Sequence, residues 1–238
     1  MKKILLLLIA FTFVIPGQSK NPDKILNEVK KTFDKIDDYS VDVSIKMDVS
    51  FLKVPDAKAK IYYKKPDKVN IESKQFALLP RRALDISPTS LLKGKYTAIF
   101  DKFETFNGVK TAVIKTIPLG EASEVVLSTF WIDLTDFVVR KVEISTKVNG
   151  TFTINLDYNS QTKFKQLPSS IIFSFNVSKL NIPKRFSGRE EDNKPDTSSN
   201  RSAIGKVFID YSNYKVNQGL PDSLFEGNKK QSEFNPSH

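Results

Sequence analysis

Apolar and polar residues alternate without a break over thirteen positions, from Tyr39 to Phe51 (YSVDVSIKMDVSF). Every odd position in this stretch is apolar, and every even position is Ser, Asp or Lys. A period of two is typical of a β-strand with one buried face and one face in water. At about 3.3 Å per residue the strand would be about 43 Å long, which is beyond the usual range.

The period of two continues along most of the chain, but the segment before Tyr39 has helical spacing instead. Pro22 and Asp23 suit the first turn of a helix, and one apolar stripe follows them. The stripe consists of Ile25, Val29, Phe33 and Ile36. Strands are predicted near residues 39–52, 57–64, 67–73, 96–101, 110–118, 123–133, 137–147, 151–159, 170–180 and 204–212.

Two segments interrupt the alternation. In residues 75–94, Ser87 and Pro88 predict a capped short helix that runs through Leu92 and ends at Gly94. Residues 183–203 are polar, with Gly, Pro and mixed charges, and predict a loop between two strands.

One hairpin can be derived from the faces of its strands. A two-residue turn at residues 149–150 would place Ile144 opposite Asn155 and mix the apolar and polar faces. A three-residue loop, residues 148–150, places Ile144 opposite Ile154. We therefore predict the three-residue loop, with Gly150 in the left-handed conformation.

Together these elements predict an α+β, mainly β protein: an antiparallel sheet of about ten to eleven strands with a few helices. A sheet of that size curls or closes, so its apolar face points into a concavity. Two short helices cannot fill so long a trough. The sequence therefore predicts a curled or closed antiparallel sheet with an apolar trough that its own helices leave unfilled. One domain is expected over residues 20–227, with a frayed tail at residues 228–238.

Residues 1–19 have the pattern of a cleaved secretory signal peptide. Lys2 and Lys3 precede an apolar run at residues 4–15, and Gly17 and Ser19 are small residues before the expected cut. The run is too short to span a membrane. Cysteine is absent, which excludes disulfides, thiolate metal sites and a lipidated cysteine. We expect a soluble mature protein in the periplasm.

The chain is basic, with a net charge of +10, or +8 once the two lysines of the signal are removed. Such an excess favours nucleic acid, an anionic membrane surface or an acidic partner. Export argues against nucleic acid. Because the lysines lie mostly on the polar faces of strands, solvation and protection of sheet edges also explain them.

The residue types that most enzymes need are missing. The one histidine is His238, the last residue, so transition-metal sites and the common nucleophile–base pairs are not available. A Ser-Lys dyad or a carboxylate pair stays open, but Ser and Lys are too numerous for their spacing to indicate one. The acidic cluster Glu190, Glu191 and Asp192 fits a solvated loop. We expect no enzyme activity, no cofactor and no metal.

Three stretches give the chain a recognisable pattern. They are YYKKPDKVNIES (Tyr62–Ser73), FWIDLTDFVVRKVEI (Phe130–Ile144) and IGKVFIDYSNYKVNQGLPDSLFE (Ile204–Glu226). With the signal peptide, the helix and the long first strand, the chain resembles the outer-membrane lipoprotein-sorting and carrier family, the LolA-like proteins. The resemblance covers residues 22–226.

The resemblance implies an unclosed β-barrel with lidding helices that carries acyl chains through the periplasm. Pro66 and Lys68 match the family's strand-to-strand turn, residues 131–133 (Trp131, Ile132 and Asp133) match its mid-sheet strand, and Tyr214–Phe225 match its closing segment. The stretch before Lys95 lacks the family's Asp-Gly-Lys and Trp-Tyr-Pro pattern, which leaves the cargo open between lipoprotein, phospholipid and another lipid.

On this interpretation the first three strands line the cavity and the segment after them forms the lid. Arg81 and Arg82 of that segment could meet anionic headgroups. Expected partners are lipid or lipoprotein acyl chains, an inner-membrane exporter and an outer-membrane acceptor, and we expect a monomer that binds no nucleic acid. The predicted cavity residues are Val41, Val43, Ile45, Met47, Val49, Ile61, Tyr63 and Ile71; the predicted lid residues are Phe76, Leu78, Leu79, Leu84, Leu91 and Leu92.

Three functions compete for this sequence. The first is a carrier that moves acyl chains of lipoproteins or other lipids toward the outer membrane. The second is a module of the same fold that senses lipid or assists an exporter without carrying cargo. The third is a surface protein that binds polyanions through its positive charge.

Overall fold

Ten strands form a single antiparallel sheet in the computed structural model, which describes residues 20–49, 55–73, 88–120, 123–159, 164–176 and 204–226. In chain order the elements are α1 (Pro22–Phe33), β1 (Asp38–Asp48), β2 (Ala57–Lys64), β3 (Lys68–Glu72), α2 (Pro88–Leu91), β4 (Tyr96–Phe106), β5 (Val109–Pro118), β6 (Val125–Asp133), β7 (Val139–Thr146), β8 (Thr151–Asp157), β9 (Ser170–Asn176), β10 (Ile204–Val216) and α3 (Ser223–Glu226).

The strands are ordered β3-β2-β1-β10-β9-β8-β7-β6-β5-β4 across the sheet. Strands that are neighbours in the sheet are also consecutive along the chain, with the one exception of the pair β1 and β10. The sheet therefore consists of two meanders that join where the first strand pairs with the last, with Ile45 opposite Ile209. Strands β3 and β4 remain as the two edges, so the sheet is unclosed. The predicted fold class, a mainly β half-barrel with few helices, is confirmed.

Strand β4 continues to Phe106, whereas the alternation predicted its end at residue 101. The register shifts between Phe100 and Lys102, and this bulge changes the phase of the alternation. Phe100 and Phe103 consequently both pack against the core, with ring centroids 4.9 Å apart. The prediction was wrong because a strict period of two ends at a bulge while the strand itself does not.

Strand β10 is also longer than predicted and reaches Val216 instead of residue 212. Asn213 has a positive φ of 56°, and the pairing with β1 shifts between Ser40 and Asp42. Beyond this irregularity the pairing resumes, with Val216 opposite Tyr39. The added residues bring the end of the chain's last strand back to the start of its first.

The hairpin between β7 and β8 has the predicted left-handed Gly150, with a φ of 75°, but a different register. Ile144 lies opposite Phe152, two residues from the predicted partner. The N–H and the hydroxyl of Thr146 both donate to the carbonyl of Gly150 at 2.9 Å, so the loop is residues 147–149. A shift of two residues keeps every side chain on its face. The apolar pattern could not distinguish the two registers, and the hydrogen bonds of the turn decide between them.

Helix α1 begins where the sequence predicts it. The side chain of Asn21 accepts a hydrogen bond from the N–H of Lys24 at 3.0 Å, and Pro22 occupies the first turn. Lys30 and Lys31 in the last turn suit the negative end of the helix dipole. The buried side chains of α1 are Ile25, Leu26, Val29 and Phe33, and Ile36 just beyond the helix is buried as well.

The short second helix is also confirmed, as α2 (Pro88–Leu91), and Gly94 follows it with a φ of 87°. A glycine accommodates this left-handed conformation without a steric penalty. Within the part of the chain that the structure describes, every helix is too short or too polar to cross a lipid bilayer.

Candidate functional site

The inner face of the sheet is apolar from β2 to β5, and α1 packs against it. Ile25, Leu26 and Val29 of α1 belong to the same buried cluster as residues from strands β1, β2, β5, β6, β7, β8, β9 and β10. The strand members of the cluster are Val41, Val43, Ile45, Ala59, Ile61, Ala112, Ile114, Phe130, Ile132, Val139, Val142, Ile154, Leu156, Ile171, Val207 and Ile209. Such a continuous apolar surface is the candidate functional site, here called the inner face.

The predicted cavity residues lie on adjacent strands. Val41 is opposite Ile61, and Ile61 is in turn opposite Ile71, so the three strands β1, β2 and β3 place these side chains in one row. Met47 and Ile71 are half-buried and pack against the buried cluster. The buried members are Val41, Val43, Ile45, Val49, Ile61 and Tyr63. Their role in lining a lipid cavity stays a prediction.

The predicted lid falls only partly within the described residues. Leu92 is buried, and the half-buried Leu91 packs against the cluster from α2. The remaining predicted lid residues and the two predicted headgroup contacts lie outside the described residues: Phe76, Leu78, Leu79, Leu84, Arg81 and Arg82.

A cavity of about 30 Å³ lies between α1, α2 and the sheet. Its lining includes Val29, Leu91, Leu156, Tyr158 and Gln166. The side-chain oxygen of Gln166 is buried and has no hydrogen-bond partner within the described residues. A space of this size holds about one or two water molecules and is too small for an acyl chain. An acyl chain could therefore bind here only if the helices moved away from the sheet.

A contact between α1 and the edge of the sheet holds the helix in place. The ammonium of Lys30 donates to the hydroxyl of Tyr96, at the start of edge strand β4, at 3.2 Å. The same ammonium lies 5.5 Å from the centroid of the Tyr96 ring. The hydrogen bond and the cation–π contact both lie at a partly exposed position. Each contributes on the order of 1 kcal/mol or less to the stability of the helix–sheet contact. This contact, here called the α1 latch, is small beside the burial of Ile25, Leu26, Val29 and Phe33, each of which contributes about 1.5–3 kcal/mol to holding α1 on the sheet.

An aromatic cluster closes the end of the sheet beneath the C-terminal half of α1. Tyr39 stacks on Tyr63 with ring centroids 5.1 Å apart, and Phe33 of α1 meets Tyr63 edge to face at 5.5 Å. Tyr214 meets Tyr39 at 5.8 Å and donates to the carbonyl of Pro168 at 2.8 Å. Burial raises the pKa of the Tyr214 phenol, so the ring stays neutral in the cluster.

The carboxylate of Asp38 binds three backbone groups of the closing segment, Tyr214–Phe225, to the start of β1. Asp38 is buried and accepts hydrogen bonds from the backbone N–H groups of Gln218, Gly219 and Leu220, at 2.9, 2.9 and 3.3 Å. This role could not be predicted from the sequence, because Asp38 differs in no local feature from its neighbour Asp37. Only the pairing of β1 with β10 brings the partners together.

Two lysines fix the end of the closing segment to the first meander. The ammonium groups of Lys64 and Lys68 lie 2.8 and 3.0 Å from one carboxylate oxygen of Asp222. Lys64 also donates to the carbonyl of Leu220 at 2.8 Å. These two contacts hold the pKa of the Asp222 carboxyl below its usual value. The resemblance placed Lys68 in a strand-to-strand turn. In the structure it is the first residue of β3, and it pairs with Asp222 of the closing segment.

The turn between β6 and β7 contains a buried ion pair. Asp133 accepts from Nε and Nη2 of Arg140 at 3.2 and 2.8 Å, and its other carboxylate oxygen accepts from the N–H of Thr135 at 2.8 Å. The guanidinium of Arg140 lies over the ring of Tyr158 at 5.1 Å. Every group here has a structural partner, so the pair orders the turn and offers nothing to a substrate. Among the described residues, no three side chains of the types that bind metals converge.

Solved structures with the same fold exist. A DUF1329 family protein from Desulfovibrio piger ATCC 29098 is 13% identical, with a TM-score of 0.61, over 87% of this chain and 97% of its own. A LolA superfamily protein from Nitrosomonas europaea is 13% identical, with a TM-score of 0.53, over 86% of this chain and 96% of its own. A domain from Vibrio parahaemolyticus that is named for outer membrane lipoprotein sorting is 14% identical, with a TM-score of 0.54, over 88% of this chain and 99% of its own.

No sequence profile of a known protein family matches the chain, and no curated protein sequence matches it. At identities of 13–14% the structural similarity establishes the fold and nothing finer. The chain has the LolA-like fold that its sequence resemblance implied.

Proposed function

We propose that the protein is a periplasmic carrier that binds the acyl chains of lipoproteins or other lipids against its inner face and moves them toward the outer membrane. The observation that carries this proposal is the continuous apolar inner face, which is covered by little more than α1 and α2 among the described residues. The fold of a domain named for lipoprotein sorting supports it. Neither catalysis nor a cofactor is part of the proposal.

Cargo would bind by partition from water. Each methylene that leaves water contributes about 0.8 kcal/mol. The small cavity requires α1 and α2 to move outward. This motion would open the α1 latch between Lys30 and Tyr96 and expose the apolar side chains of α1 until the cargo covers them. The predicted lid residues from Phe76 to Leu92 would move with them, and Arg81 and Arg82 would meet the anionic headgroup at the rim. The predicted cavity residues, from Val41 on β1 to Ile71 on β3, would then contact the acyl chain.

Two measurements test the carrier proposal. Mass spectrometry of the gently purified protein should find bound lipid, and the protein should speed the transfer of a labelled lipid between two populations of vesicles. Lipid binding without transfer would favour the sensing or exporter-accessory module. Absence of both would leave the inner face as an ordinary packed core.

The carrier proposal includes export of the chain. We propose that residues 1–19 are removed as a signal peptide and that the single domain begins at Lys20, one residue before Asn21, the N-cap of α1. The intact mass of protein released from the periplasm should correspond to a chain that starts at Lys20. A mass that retains Lys2 and Lys3 would contradict this part of the proposal.

A further inference from the structure

The most exposed large aliphatic side chains of the described residues all lie toward the same end of the sheet. Val148, in the loop between β7 and β8, is 75% exposed, Ile204 at the start of β10 is 62% exposed, and Leu119 just after β5 is 59% exposed. Because all the strands are antiparallel, the end of β5 and β7 is also the start of β4, β6 and β10. The complete set, here called the apolar rim, is Ile99, Ile117, Leu119, Val126, Val148 and Ile204.

The opposite end of the sheet is held together by aromatic and polar contacts. It carries the aromatic cluster, the hydrogen bonds from the closing segment to Asp38 and the ion pairs of Asp222 and Asp133. No large aliphatic side chain of the described residues is exposed there. Within the described part of the chain, one end of the sheet is held by polar and aromatic contacts and the other carries exposed apolar side chains.

Packing of the sheet does not account for the apolar rim. Ile99 lies opposite Lys115, and Ile117 lies opposite Thr97, so both aliphatic side chains stand on the outer face. The inner positions of the same strands are occupied by Phe100 and Ile114. Isolated exposed aliphatic residues are common on soluble proteins, but their concentration at one end of a fold marks an interaction surface.

The spread of the apolar rim fits a flat partner. Its members extend from β10 to β4, six strand spacings of about 4.8 Å, or about 29 Å in all. Leu119, Val126, Val148 and Ile204 are single side chains at strand ends and a loop tip, and Ile99 and Ile117 lie on the outer face of β4 and β5 near the same end. Together they do not line a groove for a peptide or helix. Side chains placed in this way can each enter the interfacial layer of a bilayer.

Lysines accompany the apolar rim. The carbonyl of Lys95 accepts from the N–H of Leu119 at 2.8 Å, Lys147 precedes Val148, and Lys206 follows two residues after Ile204. All three lysines are exposed. Their stems can lie along the acyl region while the ammonium groups stay among anionic headgroups. Among the described residues, the acidic side chains toward this end include Glu124, beside Lys147, Asp48, opposite Lys206, and Asp56, just before β2.

We propose that the apolar rim docks the protein on the surface of an anionic phospholipid bilayer. In this orientation the strands run away from the membrane and the end held by polar and aromatic contacts faces the aqueous compartment. The inner face then opens toward the lipid at the rim, along the direction in which an acyl chain would slide between membrane and protein. Docking itself requires no cargo, so it can be tested apart from lipid carriage.

The test is flotation of the purified protein with vesicles of phosphatidylethanolamine and phosphatidylglycerol, compared with vesicles of phosphatidylcholine alone. The wild-type protein should float with the anionic vesicles and lose part of this binding in high salt. Val148→Ser and Leu119→Ser should each weaken binding roughly tenfold, because each removes one aliphatic side chain from the interface. Both positions are exposed, so the melting temperature should stay unchanged.

A matched pair of charge variants tests the orientation. Lys147→Gln, at the rim, should weaken binding to the anionic vesicles, whereas Lys35→Gln, at the opposite end of the sheet, should not. A wild-type protein that fails to float, or variants that float equally well, would overturn the proposal. Sedimentation as a dimer that Val148→Ser dissociates would also overturn it, by assigning the rim to a second copy. Binding of an acyl probe by Val148→Ser should remain normal, which separates failure of docking from failure of carriage.

Discussion

The carboxylate of Asp38 accepts a hydrogen bond from the backbone N–H of Gly219, 181 residues later in the chain, at 2.9 Å. This contact joins the first strand to the segment that follows the last one. Two further N–H groups, of Gln218 and Leu220, donate to the same carboxylate. The side chain of Asp38 thus accepts three hydrogen bonds across the seam where the two meanders of the sheet meet.

Replacement of Asp38 should destabilise the fold strongly. In Asp38→Ala three partly buried N–H groups lose their acceptor, and each unsatisfied donor costs about 1–3 kcal/mol. We expect the free energy of unfolding to fall by about 3 kcal/mol in urea titrations. Asp210→Ala, an exposed carboxylate on β10, is the control and should change it by less than about 0.5 kcal/mol. Equal losses in the two variants would contradict the role assigned to Asp38.

The ion pairs of Asp222 predict an effect of acid on the closing segment. The folded-state pKa of Asp222 lies below the ordinary value of 3.8, so the protein gains stability from this carboxylate above that value and loses it as the pH falls through the folded pKa. Asp222→Asn should therefore be slightly less stable than wild type at neutral pH, and the difference should disappear as the pH falls through the folded pKa. The effect should be small because the group is exposed.

Urea unfolding of both proteins between neutral and acid pH measures this difference. Asp210→Asn changes an exposed carboxylate on β10 and serves as the control for the loss of a surface carboxylate; at neutral pH its stability should stay close to that of wild type. A difference between wild type and Asp222→Asn that persists unchanged in acid would show that the ion pairs are not its source.

The alternation of residues predicted the strands well because one physical constraint acts at every position. A residue on the inner face, such as Val41 or Ile45, is buried whatever its strand pairs with. The same pattern misplaced the end of β4, since a bulge after Phe100 changes the face without ending the strand. It could not select between two registers of the β7–β8 hairpin, because both place Ile144 on the inner face.

The contacts that close the molecule were not predictable from the sequence. Asp38 and Gln218 are unremarkable polar residues until β1 and β10 pair, and the α1 latch depends on how the helix crosses β4. Long-range contacts of this kind follow from topology, which the local pattern does not encode. The predicted lid residues Phe76 to Leu84 lie outside the described residues, so that prediction stays as it was.

The α1 latch should control how fast a lipid probe binds. Lys30→Met removes the hydrogen bond and the cation–π contact to Tyr96 but keeps an apolar stem of similar length. If α1 moves to admit cargo, the rate of binding of a fluorescent fatty acid should rise about two- to fivefold, in line with a lost contact of 0.5–1 kcal/mol. Stopped-flow fluorescence measures this rate.

Lys31→Met is the matched control for the latch. Lys31 is the next residue on α1, but its ammonium pairs with Glu28 on the same helix and does not contact the sheet within the described residues. Its binding rate should equal that of wild type. Tyr96→Phe should fall between the two, because it removes the hydroxyl and keeps the ring. Identical rates in all four proteins would show that α1 does not gate the inner face.

The strongest test of the inner face is a polar substitution at its centre. Ile45 is 1% exposed, in the middle of β1, and belongs to the cluster that α1 covers. In Ile45→Asn the amide is buried without partners when the protein is empty, so stability should fall by about 1–3 kcal/mol beyond the lost apolar burial. Cargo must then lie against the same amide, and the affinity for an acyl probe should fall about tenfold.

Two substitutions on the outer face of the same strand separate these effects. Asp42→Asn and Lys46→Gln change the neighbouring outward positions of β1, where the side chains are wholly or partly in water. Both should keep the wild-type melting temperature and the wild-type affinity for the probe. Thermal unfolding and titration with a fluorescent fatty acid on all three variants measure the two properties together. If Ile45→Asn loses stability while its probe affinity equals that of the two controls, the acyl chain does not bind against β1, and the inner face is a packed core.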